Sequence, residues 1–142
     1  VPPAGVEPTA RELAGILAGK IVVSVASSVV FHEGRPTAEP RARSLAELAA
    51  DAARDARVVA GFHTVAARAL VRPGPIDEDV LTCSDDADAH AVVRELAERL
   101  VAGRGIDCGP LEIARSLEGL TPILLNINRN YRRLSGVRIT GL

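Results

Sequence analysis

Few residues of this 142-residue chain could do chemistry, and they are scattered. There are three histidines, His32, His63 and His90, and two cysteines, Cys83 and Cys108. A zinc site draws its ligands from helix-face or Cys-x-x-Cys spacings, and none of the five residues stands in one. A serine hydrolase needs a Gly-x-Ser-x-Gly elbow, which is missing. The acidic run Asp85-Asp86-Ala87-Asp88 could be a carboxylate site. It reads better as the first turn of a helix, where the helix dipole favours negative charge. His90 then falls in the polar first turns of that helix and His32 in a loop, so both read as solvated.

Three features remain. First, His63 and Thr64 follow RVVAGF (57–62), a buried strand by composition. The carboxyl end of a strand is where open α/β sheets hold their ligands. Second, Asp107-Cys108-Gly109-Pro110-Leu111 leads from a strand into a helix N-terminus. Gly109 permits close backbone approach, and the helix amides can meet an anion or a polar ring edge. Third, LTPILLNINRNYRR (120–133) is an apolar helical stretch with Asn126 near the face of Leu120, Ile123 and Ile127. A buried amide must be hydrogen-bonded, so this one suits a pocket or a shared interface. Arg129, Arg132 and Arg133 could hold an anionic tail or simply sit in solvent at the helix's negative end. The first two features have plain structural readings as well, a histidine bonded at the sheet edge and a tight strand–helix turn.

Elements must position these residues. Thr9 and Glu12 form a capping box, which predicts a helix ending at Gly19 with Leu13, Ile16 and Leu17 inward. IVVSVASSVV (21–30) reads as one strand covered on both faces, and residues 31–43 as a surface loop. Ser44 and Glu47 form a second capping box, opening a helix to about Arg54. Strands are predicted over 57–62, 79–83 and 105–108, with a loop over 71–79. An amphipathic helix capped by Ser84 or Asp85 ends at Gly103, and a last helix kinks or restarts at Thr121-Pro122. The final VRITGL is strand-like. Alternating strands and amphipathic helices mean an α/β fold with a partly parallel sheet.

Composition narrows the function. Hydrophobic residues make up 47% of the chain, which supplies a core, but there is no Trp, one Tyr and two Phe. Base-stacking platforms are therefore missing, and a net charge of −1 argues against nucleic acid or an anionic membrane as partner. No apolar run approaches the ~20 residues of a membrane span. The opening VPPAGVEP has neither the basic flank nor the apolar run of a signal peptide. Two distant cysteines fit a reducing cytoplasm with both thiols free. GRGIDCG (103–109) is off the dinucleotide fingerprint by one position and enters a strand instead of leaving one, so it is rejected.

Four motifs in order resemble one family. VVAGFHTVAA (58–67), DVLTCSDDADA (79–89), DCGPL (107–111) and LEGLTPILLNINRNYR (117–132), closing on VRITGL, are similar to the NADPH-dependent reductases of the deazaflavin coenzyme F420. The resemblance implies the C-terminal part of a Rossmann-like, doubly wound sheet plus a smaller α/β domain. Residues 1–62 would be the last elements of a truncated nucleotide domain, without its glycine-rich phosphate loop. Residues 63–142 would bind the deazaflavin and form a homodimer through the last helix. The implied cofactors are NADP and coenzyme F420, with hydride passing directly between them and no catalytic side chain or metal. By resemblance, His63, Thr64, Gly109, Leu111, Leu120 and Thr121 would line the deazaflavin cleft. Pro2, Val25 and Ala26 would sit beside the nicotinamide. Two alternatives stay open: a non-catalytic ligand-binding or dimerisation module, and an NADP-dependent reductase of another small substrate with His63 as general acid.

Overall fold

The computed structural model describes residues 1–142. A short 3-10 turn, Pro3–Gly5, leads into α1 (Val6–Glu12) and α2 (Ala14–Leu17). Then follow β1 (Ile21–Ser24), β2 (Val29–His32), β3 (Arg35–Ala38), α3 (Leu45–Ala52), β4 (Arg57–Gly61) and α4 (Ala67–Leu70). β5 (Val80–Ser84), α5 (Ala87–Leu100), β6 (Gly105–Asp107) and α6 (Ala114–Tyr131) complete the order, with a 3-10 turn at Leu111–Ile113 before α6.

The central sheet runs β1-β4-β5-β6. β1 is parallel to β4 and β5 is parallel to β6, but β4 and β5 are antiparallel, with Val59 opposite Ser84 and Gly61 opposite Thr82. That reversal gives the sheet two carboxyl edges. β1 and β4 end at one of them; β5 and β6 end at the other.

Alternation along the strands builds two cores. Val58, Ala60, Leu81 and Cys83 face Ala46 of α3, Leu111, and Ala114 and Leu117 of α6. On the opposite face Val59 meets Ala89 and Val93 of α5, and Val80 meets Ala97 and Val101. α1 packs outside α3 through Ala10, Ala49 and Ala53. The Ser44 capping box forms as predicted: Ser44 Oγ accepts from Glu47 N at 3.0 Å, and Ser44 N donates to the Glu47 carboxylate at 2.7 Å.

Several expectations are corrected. The first helix starts at Val6, because Pro2 and Pro3 already hold the φ of a first turn, so Thr9 lies inside the helix and caps nothing. It breaks at Leu13, and Leu13 and Ile16 are exposed. IVVSVASSVV is two strands separated by residues 25–28, and the expected loop over 31–43 contains β3. Its Pro36 is tolerated because β2–β3 is a lone two-stranded ribbon with no further strand asking for its N–H. Glu33 and Gly34 both take positive φ and make its two-residue turn. Asp86, not Ser84 or Asp85, caps α5 by accepting from Ala89 N at 2.8 Å. α6 runs unbroken through Pro122, and VRITGL forms no strand.

Candidate functional site

β4 delivers His63. Its last residues, Val59, Ala60 and Gly61, are fully covered or nearly so, and Phe62 then takes a φ of +65°. A bulky side chain pays of order 1–3 kcal/mol for that left-handed backbone, and such strain collects at functional sites. His63 and Thr64 follow at 7% and 4% exposure. Neither ring nitrogen of His63 has a hydrogen-bond partner, and neither has Thr64 Oγ1. Ser24, level with Ala60 at the end of β1, is buried with its Oγ equally unpartnered. A buried polar atom left alone costs about 1–3 kcal/mol. Four on two adjacent strand ends mark a place where a guest's donors and acceptors would restore what the fold leaves out.

Burial pushes the His63 imidazole down to about 4. The backbone of Ala26 lies beside the ring and pulls weakly the other way, without hydrogen-bond geometry good enough to satisfy either nitrogen. The ring is therefore neutral at pH 7, with one donor and one acceptor nitrogen to offer. It can orient a polar ring edge; it is a poor proton donor.

α6 ties this edge together. Thr121 Oγ1 donates to the His63 carbonyl at 2.8 Å and lies 2.6 Å from Ser27 Oγ. Threonine has one hydroxyl proton, so Ser27 must be the donor in the second bond. The loop after β1, the turn after β4 and the middle of α6 thus meet at one hydroxyl.

Of the nine residues expected to line the site, the fold gathers Val25, Ala26, His63, Thr64, Leu120 and Thr121 at this edge. Val25 is exposed and Leu120 packs half-buried on the core. Pro2 stands exposed at the amino terminus, its carbonyl taken by Gly5 N. Gly109 does adopt the positive φ (+104°) that its turn needs, but it follows β6 and its carbonyl accepts from Ser84 N. That is the other carboxyl edge, a full five-residue strand, roughly 16 Å, from His63. Leu111 is core, 6% exposed against Leu117 and Val58. These two residues lie away from the His63 edge, because β5 and β6 run against β4.

Ser24 is the hydroxyl at this edge that the sequence pattern does not single out, because an apolar run read as one strand over 21–30 hides it. Other chemical residues have structural work. His90 is buried rather than solvated, its Nε2 2.8 Å from Thr82 Oγ1. Because that hydroxyl donates to the Ile106 carbonyl, His90 supplies the proton. Asn126 donates to the carbonyls of Pro36 and Pro122, and Arg129 to that of Gly34, so both pin the β2–β3 hairpin to α6. Cys83 and Cys108 are free thiols, and burial pushes Cys83 up to about 12. No helix is long and apolar enough to cross a membrane.

No family model matches the chain. Individual relatives do. Over 139 residues it is 37% identical to the F420-dependent NADP reductase of Methanocaldococcus jannaschii, covering 94% of this chain and 62% of that protein. Over 88 residues it is 48% identical to the F420-dependent NADP reductase of Methanothermobacter marburgensis, covering 61% of this chain and 39% of that one. Over most of its length the chain is thus similar to proteins named F420-dependent NADP reductase. It spans less than two thirds of the length of these curated relatives. The crystal structure of a candidate F420-dependent NADP reductase from an Arthrobacter species superposes with a TM-score of 0.86 at 29% identity, covering 99% of this chain and 67% of that one. A hypothetical protein of Sinorhizobium meliloti shares the fold, with a TM-score of 0.62 at 22% identity over 84% of this chain and 56% of that one.

Proposed function

We propose that this chain is the C-terminal portion of an enzyme exchanging hydride between NADPH and coenzyme F420, and that the His63 edge receives the deazaflavin ring. The observation that carries the reaction is the 37% identity to a reductase of that name across 94% of the chain. The 62% share of that relative's length supports the reading as a portion.

The residues present fit the group. The deazaflavin is a flat ring with polar edges, and the unpartnered atoms of Ser24, His63 and Thr64 are hydrogen-bonding groups without partners at a strand edge. When bound, the cofactor pair supplies the chemistry, taking and giving the hydride itself. The chain's own part is to orient and to exclude water. His63 and Thr64 would hold the ring edge, Leu120 would wall it, and Thr121 would fix the turn that presents His63. Val25 and Ala26, on the loop beside His63, would stand next to the nicotinamide, with Pro2 on the same nucleotide side. Residues 1–62 would thus serve NADP and residues 63–142 the deazaflavin, on one continuous sheet. The exposed Ile123, Leu125 and Tyr131 of α6, with Phe31 of the hairpin, offer apolar surface for a homodimer. Two free thiols suit a cytoplasmic setting.

The test is a titration of the 142-residue chain with coenzyme F420, followed by deazaflavin fluorescence, with and without NADPH. Binding is expected, and His63→Ala should weaken it about tenfold, the worth of a hydrogen bond regained in a buried site. Asp107→Asn, at the opposite edge, should leave it unchanged. A folded chain that binds no F420 under either condition, or a His63→Ala variant that binds as well as the parent, overturns the assignment.

A further inference from the structure

Two adjacent carboxylates precede β5, and the fold treats them in opposite ways. Asp79 is fully buried and fully served: it accepts from Arg104 N at 2.8 Å, from the Arg104 guanidinium at 3.2 Å and from Ile139 N at 2.8 Å. Glu78 is 5% exposed, yet its Oε2 has no partner, and none of the structure's ion pairs includes it. Nearby cations are committed elsewhere. Arg104 serves Asp79, and Arg138 lies between Asp77 and Asp79 at 3.6 Å from each.

Glu78 is not sealed in the core. It lines a cleft of about 320 Å³ between the loop before β5 and the chain after α6. Its walls are mixed: Ala66, Ala69, Ile76 and Leu134 are apolar, while Asp77, already paired with Arg138, and Ser135 add polar edges. Gly136 passes directly over the carboxyl, where an added Cβ would fall 1.8 Å from Oε2. One further charged group lines the cleft without an ion pair: Arg72, which is exposed. The cleft therefore presents a buried anion without a donor, a free cation at the surface, and a lining of mixed polarity between.

We propose that this cleft binds a small zwitterion of the amino-acid class, its ammonium on Glu78 and its carboxylate on Arg72. An ammonium both donates the hydrogen bonds that Glu78 lacks and neutralises a charge that burial makes costly. Burial pushes the free Glu78 carboxyl above its ordinary value, and the ligand would bring it back down. A carboxylate on Arg72 gains a charge-assisted bond in return. The site lies on the same sheet edge as His63, since β5 begins where β4 ends, but it stands or falls independently of the hydride reaction.

The experiment is an amide NMR titration of the 142-residue chain with three four-carbon probes: γ-aminobutyrate, n-butylamine and butyrate. γ-Aminobutyrate is expected to shift signals from residues 66–78 and 134–136. The two singly charged probes should bind at least about tenfold more weakly, each having lost one charged hydrogen bond. Glu78→Gln keeps the shape and removes a buried charge, so it should fold and lose binding by a similar factor; the exposed Arg72→Ala should do the same. The proposal fails if no probe shifts these signals, if Glu78→Gln binds as the parent does, or if either singly charged probe matches γ-aminobutyrate.

Discussion

Thr121 Oγ1 donates to the carbonyl of His63 across 58 positions of sequence, and Ser27 donates to Thr121 in turn. One hydroxyl thus sets the distance between two strand ends and a helix. Replacing it with an isosteric apolar group, Thr121→Val, strands the His63 carbonyl and the Ser27 hydroxyl together. A loss of about 1–2 kcal/mol is expected in urea unfolding, with Thr121→Ser recovering most of it. A variant as stable as the parent would show that the bridge is incidental.

His63 makes the fold sensitive to mild acid. Its imidazole is depressed in the folded chain from an ordinary 6.5 to about 4. Between those values the unfolded chain binds a proton that the native chain refuses, so stability falls as pH drops from about 6.5 to about 4. The full loss is on the order of 3 kcal/mol. His63→Gln should flatten that part of a stability-versus-pH curve. An unchanged slope between pH 6.5 and 4 would mean that His63 is solvated in solution.

Asp79 acts in a lower window and with the same sign. Burial alone would raise its carboxyl, but the N–H groups of Ile139 and Arg104 and the Arg104 side chain overcome this and bring it down to about 2. Its contribution is present above the ordinary 3.8 and is lost as pH falls through about 2. Asp79→Asn turns an acceptor toward donors it cannot satisfy, and should cost about 2–3 kcal/mol. The amide of Ile139, held at 2.8 Å by Asp79, should then exchange with solvent much faster.

Ser44→Ala removes one half of the capping box of α3. The expected loss is about 1 kcal/mol, measured by thermal or urea unfolding. Glu118 lies behind the same helix start, accepting from Ala46 N at 3.2 Å. Ser44→Asp should cost more than Ser44→Ala, since the buried Ser44 hydroxyl also donates to the Glu47 carboxylate at 2.8 Å and an aspartate would face it as a second anion.

Much of this was legible in the chain itself. Ser44 and Glu47 announced their helix because a capping box is local chemistry, complete within four residues. His63 could be set at a strand's carboxyl end because the apolar run before it is short and bounded. The four ordered motifs pointed to the family. His90 was misjudged because its burial comes from Thr82 and β6, which no local pattern around it encodes. The hairpin was missed because Pro36 argues against a strand unless the ribbon is known to stand alone.

What the sequence determined by itself was the α/β alternation, the apolar faces and the turn at Gly109, all set by residue type and spacing. What only the tertiary structure decided was direction. An apolar run reads the same in either orientation, so nothing local says that β5 runs against β4. That single reversal separated Gly109 from His63, put Glu78 on the edge that His63 occupies, and left the unpartnered Ser24, His63 and Thr64 together at that edge without it.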